Sequence, residues 1–169
     1  MNKSNIVLIG MAGAGKSTTG IVAAKILRKD FVDGDLVIQK VTGRALQDII
    51  NEDGNEAFRK IENEVLCGID ADDCVIAPGG SAIYYPEAMA HLKEKGVVVY
   101  LQVSFEEIER RLNNLATRGV TLKDGQTIAD LYAERLPLYE KYADITVNTD
   151  GLNLELTVDE IVKKFKEYK

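Results

Sequence analysis

The chain has 169 residues, 46% of them apolar, and a formal net charge of −6, enough length and apolar content for one compact domain spanning residues 1–169. Its acidic balance argues against general nucleic-acid affinity, which needs a basic face. No apolar stretch approaches the roughly 18 residues of a membrane span, and β-structure from about residue 5 leaves no room for a signal peptide, so a cytoplasmic protein is expected, and with nothing that reads as a dimer seam a monomer is the default.

The first predicted element is a strand over 5–9, built on Ile6-Val7-Leu8-Ile9. It runs into Gly10-Met11-Ala12-Gly13-Ala14-Gly15-Lys16-Ser17, a complete G-x-x-x-x-G-K-S loop, and then into a helix over 16–29. A strand that ends in this loop and feeds a helix lets backbone N–H groups wrap a phosphate chain, with the helix N-terminus aimed at it. Residues Gly10 to Thr18 are therefore the expected nucleotide contacts. Lys16 would reach the β- and γ-phosphates, and Ser17 would ligate Mg²⁺. An acidic chain that binds phosphates must concentrate its positive charge locally.

A second strand over 31–33 leads into Asp33-Gly34-Asp35. In a parallel sheet the pair would sit at the C-terminal strand edge, where α/β ligands bind. Asp-Gly-Asp is also an ordinary turn; beside a phosphate loop, one carboxylate near Mg²⁺ and one near the phosphoryl acceptor is the reading that fits. Helices are predicted over 35–42, 45–51 and 55–69. In the last of these, Arg59 and Glu62 are three apart, so Glu62 is expected to hold the guanidinium. A surface ion pair with no further role is the plain alternative.

A third strand over 73–77 runs into Pro78-Gly79-Gly80-Ser81, where glycines allow close backbone approach to a ligand. Cys67 and Cys74 match no metal or redox spacing and are expected to be free thiols. A helix over 86–94 carries His91, expected to be solvated. A fourth strand is predicted over 97–102 and a helix over 104–114. That helix starts at a Ser104/Glu107 capping box and ends near Arg110 and Arg111. Residues 113–126 lack apolar periodicity and are predicted to form a mobile lid carrying Arg118. A helix over 127–142 contains Glu134-Arg135-Leu136-Pro137-Leu138-Tyr139. A fifth strand over 144–147 and a helix over 157–168, opened by a Thr157/Glu160 capping box, complete the chain. This alternation predicts an α/β three-layer fold.

Taken together, the phosphate loop, Asp33-x-Asp35, Phe58-Arg59-x-x-Glu62, Gly79-Gly80 and Arg135-x-Pro137-Leu138-Tyr139 followed by Ala143-Asp144 resemble the shikimate kinases, small relatives of the nucleoside monophosphate kinases. The resemblance implies a five-stranded parallel sheet of order 2-3-1-4-5 with helices on both faces, and a substrate-binding region over about 33–60. It implies ATP and shikimate as substrates, Mg²⁺ as cofactor, and a place in aromatic amino-acid biosynthesis. It also implies roles. Lys16, Asp35 and Arg118 would be catalytic, with Asp35 as base and Arg118 closing with the lid onto the phosphate. Arg111 would stack on adenine and Asp33 would reach Mg²⁺. Arg59 and Arg135, with the backbone near Gly79, Gly80 and Ser81, would grip the substrate carboxylate.

Two positions depart from the family's usual pattern. Ser81 stands where a third glycine is common, and Arg118-Gly119-Val120 stands where Arg-Pro-Leu-Leu is common. Serine there either tolerates the same ligand or donates to a different one, and Lys123 is the alternative lid cation. The remaining readings are a kinase for another hydroxylated acid, a nucleoside monophosphate kinase, and a nucleotide-dependent regulatory module.

Overall fold

The computed structural model describes residues 3–114, 120 and 122–169. Five strands, β1 (Asn5–Ile9), β2 (Asp30–Asp33), β3 (Cys74–Ala77), β4 (Gly96–Gln102) and β5 (Ile145–Asn148), form one sheet of order β2-β3-β1-β4-β5. Every pairing is parallel. The three central strands are buried almost throughout, whereas edge strand β5 alternates buried and exposed residues. Continuous apolar runs belong where both faces are covered.

The helices are α1 (Lys16–Leu27), α2 (Gly34–Thr42), α3 (Leu46–Cys67), α4 (Pro86–Lys95), α5 (Phe105–Asn114), α6 (Ile128–Tyr142) and α7 (Leu154–Tyr168). Successive strand residues point to opposite faces, and β1 shows which helix covers which. Gly20 of α1 lies against Leu8, while the turn from α4 into β4 at Gly96 lies against Val7. Helix α7 packs on α1, and α3 packs on α4. The result is the three-layer arrangement expected from the alternation.

Helices α2 and α3 carry a small core of their own, formed by Ile38, Ile49 and Phe58. The expected break between helices 45–51 and 55–69 is a kink within α3 at Gly54, whose φ of 86° is open to glycine and strained for other residues. Arg44 braces the kink by donating to Asp53 at 2.6 Å and to Glu52.

Three local expectations need correction. Helix α7 starts at Leu154 because the Asn153 side chain caps it, accepting from Leu156 N–H at 2.8 Å; Thr157 is buried and donates to Asn153 O instead of capping. At α5, the Ser104 N–H goes to Asp150 Oδ1 and the Glu107 carboxylate is taken by Arg110 and Arg111, so Glu107 is not part of a capping box. The capping box lies instead at Thr127 and Asp130, opening α6. His91 is half-buried and its Nε2 lies 2.7 Å from Ile69 O, so it is not a freely solvated residue. A single 3₁₀ turn over Ala82–Tyr84 follows the Gly-Gly-Ser segment without a sequence signal that announced it.

Gly34 opens α2 directly under the end of β3. A Cβ built there would fall 2.7 Å from Pro78 O, a backbone atom that cannot swing away. Gly34→Ala is therefore expected to destabilise the fold by about 1–3 kcal/mol through overpacking, seen as a lower urea midpoint at unchanged slope.

Candidate active site

The parallel sheet brings the C-terminal ends of β1, β2 and β3 to one edge, and the site is built there. The loop after β1 needs glycine for two distinct reasons. A Cβ at Gly10 would sit 2.9 Å from Leu101 O on neighbouring β4, and Gly13 and Gly15 have φ of 81° and 90°. The loop is cross-braced by Ala14 N–H donating to Met11 O at 3.0 Å and by Thr19 Oγ1 donating to Gly15 O at 2.6 Å. Lys16 lies back across the loop, and its ammonium donates to Gly10 O and Met11 O, both at 2.8 Å. Burial lowers the Lys16 pKa to about 8, against the pull of Asp35 and Asp33 and with the push of Arg135. Arg111 reaches the loop from α5, donating from Nη1 to Gly13 O at 2.9 Å and from Nε to Glu107 at 2.7 Å. Beside it is an open cleft of about 410 Å³ lined by Ser104, Arg111, Thr149 and Asp150 among others.

Asp33 and Asp35 have divided environments. Asp33 ends β2 and caps α2, its Oδ1 accepting from Asp35 N–H at 2.9 Å and Leu36 N–H at 3.2 Å. Its other oxygen, Oδ2, accepts from Ser17 Oγ at 2.9 Å. The turn and the site are thus the same structure, since the Asx cap orients the carboxylate that meets Ser17. Asp35 faces the neighbouring cavity, and among the described residues no donor reaches its carboxylate. Burial raises its pKa from the ordinary 3.8 to about 6, with Asp33 and Glu62 adding to the rise and Lys16 opposing it.

That cavity holds about 680 Å³ between the α2–α3 pair and the sheet edge. Leu46, Ile50 and Phe58 form an apolar wall, and Asp35, Glu62, Arg135 and the Gly79–Ser81 backbone form a polar one. Arg135 is only 5% exposed. A Cβ at Gly80 would come 3.0 Å from Arg135 Nη1, so the absence of a side chain lets the guanidinium lie against the backbone. Tyr139 OH donates to Gly80 O at 2.7 Å and fixes this strand end to α6.

The expected Arg59–Glu62 ion pair is not formed. Glu62 is 2% exposed and points inward. Its carboxylate accepts from Ser81 Oγ at 2.6 and 2.8 Å and from Tyr85 OH at 2.6 Å. Burial pushes its pKa up, opposed by those two hydroxyls and by the charges of Arg135 and Arg59. Arg59 is exposed and lies over the Tyr84 ring, 5.7 Å from its centre, with Arg135 at 5.3 Å from the same ring. The Ser81 hydroxyl is thus committed to Glu62 and not offered to the cavity.

Gly10 to Thr18, Asp33, Asp35, Gly79, Gly80, Ser81, Arg111 and Arg135 all come to this sheet edge, with Arg59 at its rim. Arg118 lies outside the described residues, as do 115–119 and 121 of the expected lid. Val120 and Leu122 pack against the main core, and Lys123 to Gln126 form a turn closed at 2.9 Å. Sequence reasoning missed Tyr84, Tyr85 and the apolar wall. Adjacent tyrosines directly after a glycine-rich strand end were the available signal, a weak one, because their contacts come from α3 and α6.

A phosphate loop feeding a helix, a carboxylate paired with its serine and a second cavity holding a half-buried carboxylate and a buried arginine define a P-loop small-molecule kinase. The family model described as shikimate kinase matches residues 12–166. The shikimate kinase of Vibrio campbellii is 38% identical over 98% of both chains, and that of Francisella tularensis subsp. novicida is 40% identical over 93% of this chain and 92% of the relative. Among solved structures, the shikimate kinase from Acinetobacter baumannii in complex with shikimate has a TM-score of 0.88 at 31% identity, covering 98% of this chain and 94% of that one. The Aquifex aeolicus shikimate kinase has a TM-score of 0.79 at 32% identity over 96% of each. The chain belongs to the shikimate kinase family.

Asp35 carries a testable cost. In the unfolded chain its proton leaves near pH 3.8, in the folded chain near 6. Between those values the unfolded state binds fewer protons, so this group's contribution makes stability fall as pH rises, and its full cost stands above pH 6. Asp35→Asn is expected to stabilise the protein at pH 7 by about 1–3 kcal/mol. Urea denaturation of both proteins at pH 4 and pH 7 checks this: the gain should shrink at the lower pH.

Proposed function

We propose that this protein transfers the γ-phosphoryl group of ATP to the 3-hydroxyl of shikimate, as a single kinase domain acting in the cytoplasm in aromatic amino-acid biosynthesis. The observation that carries the reading is the cavity beside the phosphate loop. It joins Asp35, whose carboxylate meets no donor among the described residues, to a buried guanidinium, Arg135, in a chain whose fold matches a relative solved with shikimate.

In this reading the loop N–H groups and Lys16 hold the ATP phosphates, and the guanidinium of Arg111 borders the adenine cleft. Arg59, Arg135 and the Gly80 backbone grip the acceptor carboxylate, because a guanidinium fork engages a planar carboxylate with two N–H vectors at once. Asp35 accepts the hydroxyl proton and orients the oxygen for in-line attack; a loose transition state needs little prior deprotonation. Lys16 offsets charge on the transferring group. Arg118 is assigned to the same task from the lid.

Ser17 Oγ and Asp33 Oδ2 fit Mg²⁺. They are hard oxygen donors set beside the phosphate loop, and Mg²⁺ takes few protein ligands while keeping water and phosphate oxygens. When bound, the ion would screen phosphate charge and fix the geometry of the triphosphate. With Ser81 engaged by Glu62, the position where this chain departs from the family's glycine presents no free hydroxyl to favour another acid. A nucleotide-dependent module without acceptor chemistry has no supporting observation. The reading is of a monomer with no nucleic-acid or membrane partner; among the described residues no helix is long and apolar enough to cross a membrane.

ADP release from Mg-ATP, followed with and without shikimate, tests the reading. Release should depend on shikimate and fall by about 10²–10⁴ in Asp35→Asn, with wild-type kcat/KM rising through an acid limb near pH 6. ATP binding without shikimate-stimulated release would move the assignment to another acceptor. In the same assay Arg135→Ala, which empties a buried site, should raise KM for shikimate by about 30-fold or more. Arg59→Ala, at an exposed one, should raise it about 10-fold. Equal effects would contradict the burial argument.

A further inference from the structure

Arg59 and Arg135 come from different helices, α3 and α6, and among the described residues neither guanidinium lies within ion-pair distance of a carboxylate. Glu62 attracts both through its charge, but its hydrogen bonds go to Ser81 and Tyr85. Two like charges repel, and the attraction of Glu62 comes without a direct contact that would fix either guanidinium in place. Both also approach the Tyr84 ring, with guanidinium carbons 5.7 and 5.3 Å from its centre. Those distances are within the range in which an aromatic face attracts a cation.

The ring is itself held firmly. Its hydroxyl donates to Glu134 Oε1 at 2.7 Å and accepts from Arg135 Nε at 3.3 Å. Glu134 is fixed in turn by Gln126 Nε2 donating to Oε2 at 3.0 Å. The 3₁₀ turn that carries Tyr84 starts at Ser81, whose carbonyl accepts from Tyr84 N–H at 3.0 Å. The ring therefore has a defined position relative to the glycine-rich strand end and to α6.

We propose that Tyr84 is a positioning residue that sets affinity for the acceptor carboxylate by holding the Arg59 and Arg135 guanidiniums against its ring before any anion arrives. This rests on the reading of the two arginines as the carboxylate grip. Part of the ordering that binding would otherwise impose on two long side chains is then already complete. The gain falls on the acceptor and not on ATP, because neither arginine contacts the phosphate loop through a hydrogen bond.

The test is steady-state kinetics on the full chain, with shikimate and ATP varied in turn, for Tyr84→Leu and Tyr84→Phe. Leucine keeps apolar packing and removes the π face; phenylalanine keeps the π face and removes the hydroxyl. Tyr84→Leu should raise KM for shikimate about 5- to 30-fold, the sum of two cation–π contacts, with little change in kcat or in KM for ATP. Tyr84→Phe should recover most of that loss. Fluorinated phenylalanines at position 84, which drain the ring face stepwise at nearly constant shape, should raise the same KM stepwise. A flat fluorination series, or equal losses in the leucine and phenylalanine variants, would overturn the proposal while leaving the kinase assignment intact. Wild-type enzyme without shikimate-dependent ADP release would instead sink the assignment on which it rests.

Discussion

Parallel pairing of β1 with β3 on one side and β4 on the other brings the C-terminal strand ends, at Ile9, Ala77 and Gln102, to one edge of the sheet. Each chain segment leaving that edge must turn, and each turn becomes part of the site. The loop after β1 becomes the phosphate cradle. The turn after β2 becomes the Asp33 cap, and the end of β3 becomes the glycine-rich floor of the cavity. Close packing enforces the arrangement: Gly10 against Leu101 O and Gly34 against Pro78 O leave no room for a Cβ. The position of the site's charged groups thus depends on sheet register before it depends on any polar contact.

On that edge an acidic protein assembles a positive site. Lys16, Arg59, Arg111 and Arg135 gather there despite the net charge of −6. Each is held by something weaker than a buried carboxylate of its own: loop carbonyls for Lys16, a ring for Arg59 and Arg135, and a carbonyl with a surface glutamate for Arg111. A strong internal partner would have to be broken before an anionic substrate could take its place. Leaving the cations with weak partners keeps them available at small cost.

Two carboxylates of the cavity, the buried Glu62 and the half-buried Asp35, illustrate the opposite treatment. Glu62 accepts from two hydroxyl donors, Ser81 and Tyr85, and serves the framework. Asp35, on the other side of Gly79, has no donor among the described residues and carries a raised pKa. An unpartnered buried carboxylate is destabilising, and such groups persist where chemistry needs them. Their difference in partners separates scaffold from candidate base.

Much of this was legible in the chain itself. The strands, the phosphate loop, the Asp33-Asp35 turn and the break near Gly54 are local features. Apolar runs, glycines with special φ and Asx caps act over a few residues and leave a mark in the letters. What the letters did not decide is which donor meets which acceptor. Arg59 and Glu62 stand at ideal helical spacing, yet Glu62 turns to Ser81 and Tyr85, and Arg59 turns to Tyr84. Thr157 and Glu160 have a capping pattern, yet Asn153 starts the helix one turn earlier. In each case several partners were chemically suitable, and the choice fell to groups brought close by distant segments. Local conformation was determined by the sequence alone; the pairing of charges was decided only when the tertiary fold set their distances and removed water from between them.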